Sequence, residues 1–172
     1  MSATTLLTFR DFEQLPSVLD GKQELLNGEL ITMPPPNMDH TQTAHAFLFY
    51  LVKILGSRVW VEAGYKMGEN WLQPDVSVTW PDQQLEHRYL IGAPMIAIEI
   101  ISEHKSRDQI DDRIEAFFAH GCREVWVISR RKRAMTVYTQ NEAGAIVGTR
   151  VTTEYRPVGI DVTIRPADLI VS

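Results

Sequence analysis

A chain of 172 residues suits one domain with a sizeable core. Its 44% hydrophobic and 23% charged content is ordinary for a soluble globular protein, and no apolar run approaches the about 18 residues of a membrane span. A net charge of −5 argues against a general nucleic-acid coat protein, and one cysteine, Cys122, excludes an internal disulfide.

Residues 1–7 lack a basic segment followed by a long apolar stretch, so no secretory signal is expected. The expected location is the cytoplasm. Thr8, with Asp11 three positions on, predicts a helix to about residue 19, closed by Asp20-Gly21. Two short apolar runs then flank Asn27-Gly28, whose tolerance of positive φ predicts a tight hairpin over 23–32. Pro34-Pro35-Pro36 makes a stiff loop. Ala44, Phe47, Leu48, Leu51, Ile54 and Leu55 recur at helical spacing, which predicts a long helix over 38–55 ended by Gly56.

Strands are predicted over 59–67, 72–80 and 95–101. The last is apolar on both alternating faces, as a central strand covered on both sides must be. Ser106-Arg107-Asp108-Gln109 opens a second helix, with Ile110, Ile114, Phe117 and Phe118 on one stripe before Gly121. A strand at 124–128 pairs with one at 134–139 across the basic turn Arg130-Arg131-Lys132-Arg133, which keeps a hairpin turn soluble. The segment 158–171 reads as one more short strand and a loose end. The order predicts an α/β sandwich with a mixed central sheet flanked by helices.

Two acids stand out against this pattern. Asp75 lies in Pro74-Asp75-Val76-Ser77-Val78, and Glu99 lies inside Met95-Ile96-Ala97-Ile98-Glu99-Ile100-Ile101. A charge on a core strand costs several kcal/mol unless it is paired or binds a metal. Two readings are open. The acids share a divalent cation such as magnesium, which takes hard oxygen ligands, or Asp75 caps a turn while Glu99 pairs with an arginine.

Several segments in order carry a family resemblance. They are Gln23-Glu24-Leu25-Leu26-Asn27-Gly28-Glu29-Leu30, His40 after the proline-rich loop, Pro74–Val78, Ile98-Glu99-Ile100-Ile101-Ser102, and Asp108, Arg113, Phe117, Gly121 and Arg123-Glu124-Val125-Trp126. In these the chain resembles the bacterial Uma-two family of the PD-(D/E)XK superfamily over most of its length. The resemblance implies a single restriction-endonuclease-like domain with an N-terminal hairpin extension. It also implies hydrolysis of DNA phosphodiester bonds with a magnesium or manganese ion. Asp75, Glu99 and the Ile100 carbonyl would hold that ion, and Glu24 matches an acid that superfamily members add to the site. A homodimer, with two sites addressing two strands, is expected by the same analogy.

The chain departs from the pattern at its cation. The superfamily lysine two residues after the second acid is Ile101 here, and the lysine that the Uma-type pattern offers on the next helix is Arg113. An arginine stabilises phosphate charge but is a poor base. Lys105, six residues beyond Glu99, is the other candidate. The departures favour an alternative, a binding module that keeps the nuclease fold without catalysis.

Overall fold

The computed structural model describes residues 6–16, 18, 21–101 and 107–171. The elements run α1 (Phe9–Glu13), β1 (Lys22–Leu26), β2 (Glu29–Met33), α2 (Met38–Leu55), β3 (Val59–Val61), β4 (Tyr65–Met67), β5 (Asn70–Leu72) and β6 (Val76–Val78). They continue with β7 (Leu85–Glu86), β8 (Tyr89–Ile91), β9 (Ile96–Ile101), α3 (Arg107–Ala119), β10 (Glu124–Ser129), β11 (Ala134–Gln140), β12 (Ile146–Val151) and α4 (Pro166–Leu169).

Two six-stranded sheets result. One has the order β12-β11-β10-β9-β6-β3 and is the mixed central sheet, with β9 and β10 parallel and the other pairs antiparallel. The other has the order β2-β1-β5-β4-β8-β7 and grows from the Asn27-Gly28 hairpin. The N-terminal hairpin extension is therefore one end of a second sheet.

The central strand β9 explains its own composition. Ile96, Ile98 and Ile100 face one core with Phe47 and Leu51 of α2 and with Leu169 of α4. Ala97 faces the other with Ile114, Phe117 and Phe118 of α3 and with Tyr65 and Leu72 of the second sheet. Each fully buried side chain of this size contributes about 1.5–3 kcal/mol by leaving water. Glu99, two residues on from Ala97, shares its face and so points to the α3 side.

Several boundaries differ from expectation. Helix α1 ends at Glu13, because Pro16 disfavours helical backbone at Leu15; residues 17, 19 and 20 lie outside the described set. The run expected as one strand over 59–67 divides at Glu62, whose φ is +49°, and its halves join different sheets. Gly64 lies in the break, where a Cβ would come within 2.6 Å of the Trp71 ring. The run over 72–80 divides likewise at Gln73-Pro74-Asp75, since proline has no N–H for a ladder.

The C-terminal expectation is corrected. Residues 158–171 contribute only a bridge from Ile164 to Tyr155 and the short helix α4. The additional strand is β12, one position earlier in the order. Its largely exposed surface leaves no apolar alternation to read. The small β7–β8 hairpin lies outside the expected elements and turns at His87, whose φ is +54°.

Candidate active site

Asp75 immediately precedes β6, and Glu99 follows Ile98 in β9. The antiparallel pair Val76↔Ile98 therefore brings the two acids to the same end of adjacent strands. Beyond Val76 the ladder stops, and the Asp75 side chain takes over from the backbone: Ile100 N–H donates to its Oδ2 at 2.7 Å. Asp75 and Glu99 are each 3% exposed. The energetic anomaly in the sequence is real, and partners resolve it.

Arg113 is the principal partner. It projects from α3 and donates through one terminal nitrogen to Glu99 Oε1 at 2.5 Å and through the other to Glu24 Oε2. Burial alone would disfavour its charge, but the Glu99 and Glu24 carboxylates more than offset this and raise its pKa above the usual arginine value. Arginine suits this task better than lysine because its planar fork reaches two carboxylates at once.

Glu24 is fully buried rather than a solvated strand acid. Its Oε1 accepts the Gln73 N–H at 2.8 Å, which ties β1 to the loop before Asp75. Among the described residues two further groups join the cluster, and sequence reasoning did not assign them a role there. Lys22, two residues before Glu24 on the same face of β1, donates its Nζ to Gln73 O at 2.9 Å and lies 3.7 Å from both Glu24 Oε1 and Asp75 Oδ1. His40, in the first turn of α2, has Nε2 3.2 Å from Asp75 Oδ2. The period-2 face shared by residues 22 and 24 was the available signal for Lys22.

Among the described residues, three carboxylates thus meet a lysine, an arginine and an imidazole. Lys105, with Ser102 and Ser106, lies outside the described residues. Ile100 is fully buried, and Ile101 carries no charge to the site. Arg130 is not merely a solubilising turn residue: it donates to Asp39 Oδ2 at 2.9 Å and to Asn37 Oδ1 at 3.3 Å, while Arg131–Arg133 are exposed.

The oxygen donors of Asp75 and Glu99 are the hard type that a magnesium or manganese ion takes, so the donor chemistry fits such an ion. Among the described residues no three His, Cys, Asp or Glu side chains are grouped to hold one. A cleft of about 480 Å³ opens above the cluster, with Asp75, Lys22, His40 and Arg113 in its lining.

A crystal structure described as a "putative nuclease belonging to DUF820", from Anabaena variabilis, has the same fold. Its TM-score is 0.82 at 20% identity, over 95% of this chain and 97% of that one. A search among curated proteins finds no match. Among the described residues no helix is long and apolar enough to cross a membrane. The Uma2 family model, described as "putative restriction endonuclease", matches residues 9–164. With nearly the whole chain matched, the protein belongs to the Uma2 family.

Proposed function

We propose that the protein is a nuclease that hydrolyses DNA phosphodiester bonds with a magnesium or manganese ion held by Asp75, Glu99 and the Ile100 carbonyl. The observation that carries this reading is the convergence of Asp75 and Glu99, both buried, at one end of two adjacent strands beside an open cleft. The bound ion would supply charge stabilisation at the phosphate and lower the pKa of a water. The chain's own groups do the rest. The Ile100 N–H orients Asp75, and Arg113 holds Glu24 and Glu99 in place, so its role is positioning rather than contact with phosphate. His40 Nε2 sits against Asp75 Oδ2, the same oxygen that accepts the Ile100 N–H, and fixes that carboxylate from the α2 side. A homodimer would present two such sites to the two strands of a duplex.

The test is a cleavage assay on DNA with and without magnesium or manganese, using the wild type, Asp75→Ala and Glu99→Ala. Cleavage should need the metal and be lost in both variants. Unchanged cleavage in either variant would overturn the site assignment. Sedimentation at micromolar concentration checks the dimer.

A second reading is a nucleic-acid binding module without catalysis. The closed Glu24–Arg113–Glu99 arrangement favours it, because the carboxylates are already neutralised by protein cations. Calorimetry separates the two: magnesium uptake that depends on Glu99 supports the nuclease, and its absence supports the module.

A further inference from the structure

The cleft above Asp75 is lined by an apolar run, Met33 at the end of β2 with Pro34–Pro36, and by polar groups, among them Lys22, His40, Glu62, Asp75, Gln109 and Arg113. A groove that only followed a phosphate backbone would need cations and N–H donors and no such wall. Mostly apolar walls with a few convergent polar groups, in a volume of about 480 Å³, are what a small organic ligand takes.

Among the described residues Lys22 is the more exposed of the two cationic side chains, Lys22 and Arg113, in the cleft lining, and it is ion-paired with Glu24 and Asp75. Among the described residues its three N–H donors make one hydrogen bond, to Gln73 O, since the two carboxylates at 3.7 Å are beyond hydrogen-bond reach. Its side chain is 19% exposed, whereas that of Arg113 is 3% exposed with both terminal nitrogens engaged. Lys22 and the apolar run are held in register. Lys22 pairs directly with Met33, and Gly21 lets the strands approach so closely that a Cβ there would lie 2.1 Å from Met33 O.

We infer that the cleft seats one unpaired nucleotide of a nucleic-acid strand, with its phosphate against Lys22 and its base against Met33 and the proline wall. This rests on the nuclease reading and names its substrate more narrowly. A base within a duplex is stacked on both faces and cannot lie against the wall; a base in a single strand, or one turned out of the stack, can.

The experiment is fluorescence anisotropy of a labelled ten-nucleotide single strand, as DNA and as RNA, and of the same DNA sequence as a duplex, with and without magnesium. The proteins are the wild type, Lys22→Ala, Met33→Asp and Pro35→Asp. Pro35 is exposed, so its substitution leaves the core intact. Single strands should bind at least tenfold more tightly than the duplex, and each substitution should weaken that binding about tenfold. Tighter binding of the DNA or of the RNA strand then identifies the sugar. Equal binding of single strand and duplex, or binding indifferent to Pro35→Asp and Met33→Asp, overturns the inference. Strand binding as described with no cleavage under any metal would sink the nuclease reading and leave this one standing. Metal-dependent cleavage with binding indifferent to the wall would do the reverse.

Discussion

Arg113 and Glu99 meet at 2.5 Å in the interior between α3 and the central sheet, both within 4% of complete side-chain burial. The contact settles how a carboxylate survives in the apolar strand β9. It also determines what removing the arginine does.

Arg113→Met leaves Glu24 and Glu99 buried without their main partner. A loss of about 3–5 kcal/mol in unfolding free energy is expected, read by urea denaturation. Arg113→Lys should recover part of this, because a point charge cannot serve two carboxylates through a planar fork. Equal stability of Arg113→Met and the wild type would show that the cluster is held by other groups.

Asn37 caps α2 by accepting the His40 N–H at 2.9 Å, and it also meets Arg130. Asn37→Ala should cost about 1 kcal/mol in stability. It should also loosen His40 against Asp75, visible as a shift of the His40 ring signals in NMR. Unchanged ring signals would mean that the cap does not position the histidine.

Gly21 has φ of +107° and no room for a Cβ. Gly21→Ala should destabilise the protein by more than about 1 kcal/mol, measured by thermal unfolding. The β1–β2 pairing that carries Lys22 and Met33 should exchange its amide protons faster.

Cys122 is buried, and its thiol donates to Glu124 O at 3.1 Å. Burial is the main cause that pushes its pKa up from 9.0 to about 12. The folded state therefore keeps a proton that the unfolded state loses. Its contribution to stability is full below pH 9 and declines as the pH rises towards about 12. The stability of Cys122→Ala should fall less steeply over that window than that of the wild type. A thiol reagent at neutral pH should label the wild type only after unfolding; rapid labelling of the native protein would contradict the burial.

The features legible in the amino-acid order are local. Apolar spacing marked α2 at its observed bounds, the two-faced run of β9 marked a central strand, and the same run made Glu99 conspicuous because a charge is costly there. The long-range pairings came from the packing of the elements. Glu24 and Arg113 are 89 residues apart, and nothing in either one's neighbourhood encodes the other. The break that divides 59–67 between two sheets holds a positive φ at Glu62 and the close approach of Gly64 to Trp71, which no hydrophobic period records. Lys22 lies one residue outside the hairpin expected over 23–32, and no local pattern marks it. It became a cleft cation because β1 pairs with β5, and this brings its ammonium to Gln73 O and within 3.7 Å of Asp75. Periodicity reports which face a residue takes; which charges meet across elements is decided by packing.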